Sequence, residues 1–432
     1  MSELYRPNWP LVRISEFAEI NIGGTPSRAT PQFWATKPEG SPWIAISDLK
    51  SKYVDDTKEY ITDLGAKCSN VKLIEPFTTV MSFKLTVGRT AITTRPMYCN
   101  EAIAIFSPRN DSLSGGWLYH ALPRAAQSVV TDNAVKGATL NKAKMAEMTV
   151  QLPPIAEQCK IAQILDTLDT AIRETEALID KLKAFKQGLL HDLLTRGIDA
   201  NGQLRPPQHE APQLYKKSPL GWIPKEWEVS TVEAEFSVDS GITLGAHRAP
   251  RNNPKQYLRV ANVHRARLVL EDIATLEASD AEASLRGLHP GDLLVVEGHA
   301  STEEIGRCAM AGEPVRGMLF QNHLFRLRAK RLLSEFGLLW MNSAFVRAYW
   351  RCEAATSSGL NTINRTKLNR LDVAVPPLSE QERIVSGELG FASRLSREEQ
   401  ALEKLKRQKI ALMDDLLTGR VRVTQLIKNS GI

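Results

Sequence analysis

Apolar residues along positions 139–196 change period once. Met148–Leu152 reads as a short strand, and from Glu157 onward Ile161, Leu165, Leu168, Ile172, Ile179, Leu182, Leu189 and Leu193 keep largely to alternating steps of three and four. That spacing places one apolar seam on a helix and matches the repeat of a coiled coil. Pro153 and Pro154 stand at the change, where proline's fixed φ and missing N–H suit the first helical turn. Roughly 40 residues at about 1.5 Å each give a rod on the order of 60 Å, and its stripe needs a partner.

The partner is in the same chain. Most features of 139–196 recur at 362–419, Pro376 following Pro153 by 223 residues and Thr418 following Thr195 by the same 223, with 19 identities in 57 aligned positions. The spacing marks an internal duplication. Phe391, Leu395, Leu402, Leu405, Leu412 and Leu416 repeat the seam in phase. Ser379 with Glu382 predicts a capping box for the second helix, while Ala156 and Cys159 leave the first to be capped by other means. Gly387 and Gly390 are expected to weaken its opening turns by about 1 kcal/mol each relative to alanine, with fraying or bending there.

Outside the rods the pattern shortens. Residues 1–138 carry strand candidates at Trp43–Ile46, Thr79–Ser82, Thr90–Thr93 and Ala102–Phe106 and a helical pattern over 116–129 despite Pro123. The polar, proline-rich 197–219 reads as an extended linker. Beyond it the first domain repeats loosely: Trp227, Gly241, Thr243, Gly306 and Arg307 follow Trp9, Gly23, Thr25, Gly88 and Arg89 by 218 positions, and Asn322 answers Asn100. The organisation expected is a strand-rich domain at 1–151, a long helix at 152–198, a linker at 199–219, a second strand-rich domain at 220–374, a second long helix at 375–420 and a tail at 421–432. The fold class is α+β, with the two helices packing as an antiparallel coiled coil and giving the chain a pseudo-two-fold axis.

Composition narrows the function. A net charge of +6 and a pI near 9.0 favour an acidic partner such as nucleic acid. Five scattered cysteines build neither a disulfide framework nor a structural zinc site. There is no run of 18 apolar residues and no secretory signal in MSELYRPNWPLVR, so a cytoplasmic protein that does not span the membrane is expected. The chain contains no G-x-x-x-x-G-K-[ST] loop, no H-E-x-x-H and no Asn-Pro-Pro-aromatic motif, since both proline pairs follow Leu152 or Val375.

Two domains introduced by W-x13-G-x-T (Trp9, Gly23, Thr25 and Trp227, Gly241, Thr243), each closed by PP-[IL]-x-EQ-x-[KR]-I and a helix ending in DLLT, resemble the DNA-specificity subunit of type I restriction-modification systems. Gly221-Trp222-Ile223-Pro224 before Trp227 resembles that family's entry into its second recognition domain. The resemblance implies that each domain reads one half of a bipartite double-stranded DNA target and that the helices set the spacing. It also implies a non-catalytic chain that assembles with two DNA-methyltransferase subunits and with motor-nuclease restriction subunits. The methyl donor and ATP sites then belong to those partners, and this chain holds no cofactor and no metal.

Base edges are read by Arg or Lys on guanine and Asn or Gln on adenine, while other cations hold phosphates. Candidate DNA contacts in the first domain are Thr25 in the G-x-T turn, Arg28 just after it, Lys84 and Arg89 around Thr86-Val87-Gly88, and Lys136 beside Gly137. Arg89 and its counterpart Arg307 are expected to share a structural role, on a phosphate or a carboxylate, rather than to read bases. In the second domain Arg248, Arg251, Arg259, His264, Arg265 and Arg267 form the densest cluster of donors. Lys181, Lys183, Lys186 and their copies Lys404, Lys406 and Lys409 are expected on a solvated face balanced by carboxylates rather than on DNA. Ile164, Leu178, Phe185 and Leu190 exceed what a two-helix seam buries and are candidates for docking the methyltransferase. The alternatives are a coiled-coil scaffold joining protein partners without DNA preference, and a single-chain enzyme whose active site the motifs do not show.

Overall fold

The structure, a computed structural model, describes residues 9–37, 39–131, 140–353 and 361–429. It divides into two compact units, Met1–Ala177 with Gln400–Ile432, and Leu178–Glu399. Each unit holds one strand-rich domain and one end of each long helix.

In the first unit a five-stranded sheet runs in the order Ala18–Ile22, Ile103–Pro108, Thr79–Ser82, Thr90–Thr93, Tyr53–Val54. Its central strands are apolar on both faces because period-two alternation feeds two cores. Met81, Ala104 and Phe106 point into the core that contains Trp9, Trp117 and Leu165, and Val80, Ile103 and Ile105 point into a second core with Ile44 and Ile74. A smaller sheet, Trp34–Ala35, Glu59–Ile61, Ser41–Ile44, Tyr98–Cys99, lies beside it. The helix Gly115–Thr131 contains Pro123, and Leu11–Arg13 pairs antiparallel with Thr149–Gln151 just before the long helix begins.

The second unit repeats this plan. Its main sheet runs Phe236–Ser240, Leu324–Ala329, Leu293–Val296, Cys308–Met310. Leu293 and Val295 enter one core around Trp227, and Leu294 and Val296 enter the other. Glu228–Thr231 pairs antiparallel with Asp372–Val375 ahead of the second long helix. The matched glycines have a common physical cause. A Cβ on Gly23 would lie 2.3 Å from the carbonyl oxygens of Asn100 and Cys99, and one on Gly241 would lie 2.2 Å from that of Phe320, so no side chain fits where each turn crosses the sheet.

The long helices span Ile155–Thr195 (41 residues) and Leu378–Leu417 (40 residues). Within the first unit they run antiparallel, Glu176 opposite Lys406 at 2.8 Å and Asp169 opposite Lys409. Within the second, Lys183 meets Glu399 at 2.9 Å, Lys186 meets Glu388 at 2.7 Å, and the rings of Phe185 and Phe391 stack at 5.5 Å. Four of the rod lysines thus face carboxylates of the opposite helix.

The expected capping box is absent. Ser379 lies inside the first turn, and the Pro377 carbonyl accepts from the N–H groups of Glu380 and Gln381, as that of Pro154 does from Glu157 and Gln158. The Gln side chain pins the helix start instead. Gln158 Nε2 donates to the Pro153 carbonyl at 2.8 Å and its Oε1 accepts the Ser114 N–H at 2.8 Å; Gln381 repeats both bonds with Pro376 and Leu333, each at 2.9 Å. The second helix is continuous through Gly387 and Gly390.

The stretch expected to be an extended linker is folded. Gly197 adopts a φ of 65° against Trp227, Ile198 bridges to Leu204, and Tyr215–Ser218 forms a hairpin with Gly221–Pro224. Arg205 reaches the Glu380 carboxylate in the same unit, its Nη2 at 3.0 Å from Oε2. The first unit repeats the device with C-terminal residues: Gly419, at φ 73°, abuts Trp9, and Arg422 Nε donates to Glu157 Oε2 at 2.9 Å.

Candidate nucleic-acid interface

Trp43 lies in the short strand Ser41–Ile44 and donates from Nε1 to the Gly24 carbonyl at 2.9 Å, fixing the G-x-T turn. Thr25 then donates to the Glu101 carboxylate. Arg28 lies over the Trp34 ring at 3.7 Å and donates from Nη2 to Glu59 Oε2 at 2.9 Å, with 54% of its side chain exposed. The hydrogen bond from Arg28 holds the Glu59 carboxyl below its usual range. Glu101 is likewise lowered, first by the Thr25 bond and to a lesser degree by nearby Lys84 and Arg28. Thr25, Arg28 and Lys84 therefore share one rim with two ionised carboxylates and a pair of tryptophans. Such a rim supplies donors for guanine or phosphate and acceptors for the cytosine amino group. Glu59 and Glu101 carry no local sequence signal, since they meet Arg28 and Thr25 only through the fold.

Lys84 and Arg89 flank the turn that joins Thr79–Ser82 to Thr90–Thr93. The Arg89 backbone is anchored on Ser82, N–H to Oγ at 3.2 Å and carbonyl to N–H at 2.8 Å, while the residue itself is exposed. Arg307 is 7% exposed and donates to the Val260 carbonyl at 2.9 Å and to Glu304 at 3.3 Å. The pair does not share one environment: the neighbouring glycines keep matching φ values of 86° and 67°, but Arg307 is buried while Arg89 is exposed. Lys136 lies outside the described residues.

The basic cluster of the second domain separates into distinct groups. Arg248 makes a bidentate pair with Glu282 at 2.9 and 2.7 Å, and the Arg251 N–H donates to Glu277 at 2.8 Å. Arg259 pairs with Asp272 at 2.6 Å. His264 and Arg267 face each other across a two-residue turn. Arg265 donates to the Glu303 carbonyl at 2.6 Å and to Asn342 at 3.3 Å. Burial, then the neighbouring Arg347 charge, pulls its pKa down.

Of the apolar rod candidates, Ile164 is half-buried against the first core, Leu178 is 36% exposed and Phe185 is 61% exposed. Leu190 lines a cavity of about 640 Å³ in the second unit with Leu194, Trp222, Leu338 and Phe345. This cavity was not foreseen, because residues from 190, 222 and 338 meet only through tertiary folding.

His120 is a further residue the sequence did not single out. Its Nε2 donates to Asp166 Oδ1 at 2.9 Å, and Lys52 Nζ lies 2.6 Å from both oxygens of that carboxylate. His120, Asp166 and Asp169 bring ligand-type atoms within 4.8 Å of one another. The Lys52 ammonium already occupies the face of Asp166 that a cation would need, so the residues fit an ion-pair cluster better than a metal. Burial lowers the His120 pKa, outweighing Asp166. A histidine favoured neutral in the folded state contributes stability above its unfolded pKa of about 6.5, and this is lost as pH falls through that value toward the folded one. Unfolding midpoints of the first unit are therefore expected to fall below about pH 6.5. In a His120→Gln variant this part of the pH dependence should vanish, as urea titrations at several pH values would show.

Residues 7–184 match the family model described as the type I restriction modification DNA specificity domain. The chain is 26% identical over 314 residues to the StySPI specificity subunit of Salmonella potsdam, covering 70% of this chain and 64% of that one. It is 26% identical over 313 residues to the EcoKI specificity subunit of Escherichia coli K12, again covering 70% and 64%. Residues 7–184 are thus similar to the DNA specificity domain of type I restriction-modification systems, and the chain as a whole is similar to specificity subunits of those systems. It spans 64% of the length of these two relatives. Among solved structures, one described under complex assembly and conformational transition of the type I R-M system matches with TM-score 0.62 at 15% identity, covering 98% of this chain and 100% of that one. The HsdS subunit from Thermoanaerobacter tengcongensis matches with TM-score 0.53 at 15% identity, covering 96% and 98%. At that identity the structures speak for the α+β fold. Among the described residues no helix is long and apolar enough to cross a membrane.

Proposed function

We propose that this chain is the non-catalytic, sequence-reading subunit of a cytoplasmic type I restriction-modification complex. Its two domains, divided as the sequence suggests at 1–151 and 220–374, each read one half of an asymmetric bipartite double-stranded DNA target. The long helices set the spacing of the half-sites and dock two DNA-methyltransferase subunits, and motor-nuclease subunits join the full enzyme. The candidate contacts are Thr25, Arg28, Lys84, Arg89 and Lys136 in the first domain and Arg248, Arg251, Arg259, His264, Arg265 and Arg267 in the second, with buried Arg307 left to a structural role.

One observation carries this reading. The two units keep the same scaffold, including the cradled Gly23 and Gly241, the helix-start glutamines and the Arg–Glu closures, while the side chains on their surfaces diverge. A shared frame with different surfaces suits two different half-sites, which a symmetric homodimer would not read. Base reading by the arginines requires exchange of partners, because Arg28, Arg248 and Arg259 rest on carboxylates in the free chain; such pre-oriented guanidiniums cost little further ordering.

The test is a map of methylated adenines in the host with and without the gene. Loss of a single bipartite motif is expected, and an unchanged methylome sinks the reading in favour of a scaffold without DNA preference. Exchanging residues 1–138 for the first domain of another family member should alter one half-site alone; an alteration of both refutes independent reading.

A further inference from the structure

The turn between Thr79–Ser82 and Thr90–Thr93 has an unusual occupant. Leu85 is 96% exposed and sits at a φ of 62°, at the centre of a three-residue turn closed by the Thr86 N–H on the Lys84 carbonyl at 2.7 Å. A leucine in the left-handed region is disfavoured sterically, and this kind of γ-turn is rare. An exposed apolar side chain held in such a conformation is the sort of outlier from which function is argued.

The turn stands on a fixed base. The Phe83 N–H donates to the Ala102 carbonyl at 3.0 Å, the Phe83 carbonyl accepts from Leu140 at 3.3 Å, and the Gly88 N–H donates to the Ser82 carbonyl at 2.9 Å. The Phe83 ring is 2% exposed in the core. The bond to Ala102 also seats the turn next to Glu101, and so beside the rim of Thr25 and Arg28. Around the tip the neighbours are Lys84, exposed Thr86 and exposed Arg89. A lone apolar tip between two cations is ill suited to a protein interface core, where apolar neighbours would be expected. It matches the pattern of a wedge between base pairs with flanking phosphate contacts.

We propose that Leu85 inserts into a base step of the half-site read by the first domain, with Lys84 and Arg89 holding the phosphates on either side. The proposal rests on the DNA-reading assignment above. Insertion of an apolar side chain unstacks the step and kinks the duplex, and the energy required depends on the step, so Leu85 becomes a determinant of specificity without a hydrogen bond to a base. The second domain does not share the device: after Leu293–Val296 its chain continues through Gly298–His299, paired with Asn361–Thr362. One half-site alone is distorted.

The experiment uses the full chain co-purified with its methyltransferase subunits and duplexes carrying 2-aminopurine at successive positions of the target. The wild-type complex should raise the fluorescence at one step of the first half-site. Leu85→Ala should abolish that rise and weaken binding of the target about tenfold, with the salt dependence unchanged, and a mismatch placed at the same step should restore the variant's affinity. Wild-type preference for the target together with unaltered Leu85→Ala binding and fluorescence would overturn the wedge alone. An equal loss on scrambled DNA would also overturn it. A wild-type complex with no preference for the target over scrambled DNA would overturn the DNA-reading assignment and the wedge with it.

Discussion

Glu380→Ala is expected to destabilise the second unit by about 3–5 kcal/mol, because it strands a buried guanidinium. The Arg205 side chain is 9% exposed and that of Glu380 is 2% exposed. One oxygen of the carboxylate also accepts the Ile198 N–H at 2.8 Å. Removing Glu380 leaves the Ile198 amide without its acceptor and leaves the guanidinium only the Arg196 carbonyl at 3.1 Å and the more distant Glu226 carboxylate at 3.7 Å. The double variant Arg205→Met/Glu380→Leu should lose less than the single one, since no charge is then left unpaired. The equivalent Glu157→Ala is expected to cost less, because its partner Arg422 has 29% of its side chain exposed. Urea unfolding followed by tryptophan fluorescence checks the ranking. Trp227, fully buried against Gly197, is one of the eight tryptophans that contribute to the signal. If Glu380→Ala unfolds at the wild-type midpoint, the Arg–Glu closure is not a structural element.

The same pair marks the limit of what could be read from the chain alone. The PP-x-x-EQ element is visible by its repetition, and its flanking periodicities placed both long helices within a few residues of their ends. The partners of its Glu and Gln were not visible, because Arg205, Arg422, Ser114 and Leu333 lie far away in sequence and no local rule links them. Strands Thr79–Ser82 and Thr90–Thr93 could be located because β-branched and apolar residues cluster between turn residues; their burial on both faces follows only from the two cores they separate. The capping box failed for a physical reason. A serine can cap only where the helix begins, and here proline carbonyls and a glutamine side chain start the helix before Ser379 is reached. The charge reading met a similar limit. Sequence proximity grouped Arg248 to Arg267, but the fold sends the guanidiniums of Arg248, Arg259 and Arg265 to Glu282, Asp272 and the Glu303 carbonyl. Leu85 was invisible for the opposite cause, since a single leucine carries no pattern until its backbone conformation and exposure are known.

Phe185→Glu and Leu190→Glu are each expected to abolish co-purification with the methyltransferase if the rod is the dock. Phe185 is 61% exposed although it stacks on Phe391, so the pair presents an aromatic face toward solvent. Leu190 opens into the cavity edged by Trp222, itself 49% exposed. Exposed aromatic and aliphatic groups set beside a concave apolar surface have the composition of an interface centre rather than of a rim. A carboxylate introduced there must be desolvated without a partner, and loss of a hot-spot contact alone exceeds about 2 kcal/mol, or roughly thirtyfold in affinity. Folding should survive Phe185→Glu, since that side chain contributes little buried area, and unfolding midpoints near wild type would show it. Lys181→Ala on the same stretch, an exposed position, is expected to leave assembly intact and serves as the control. Retention of the methyltransferase by both glutamate variants would place the dock away from this end of the helix, with Ile164 and Leu178 the next positions to substitute. Loss in the glutamate variants but not in Lys181→Ala would tie assembly to the apolar face that the antiparallel seam leaves uncovered.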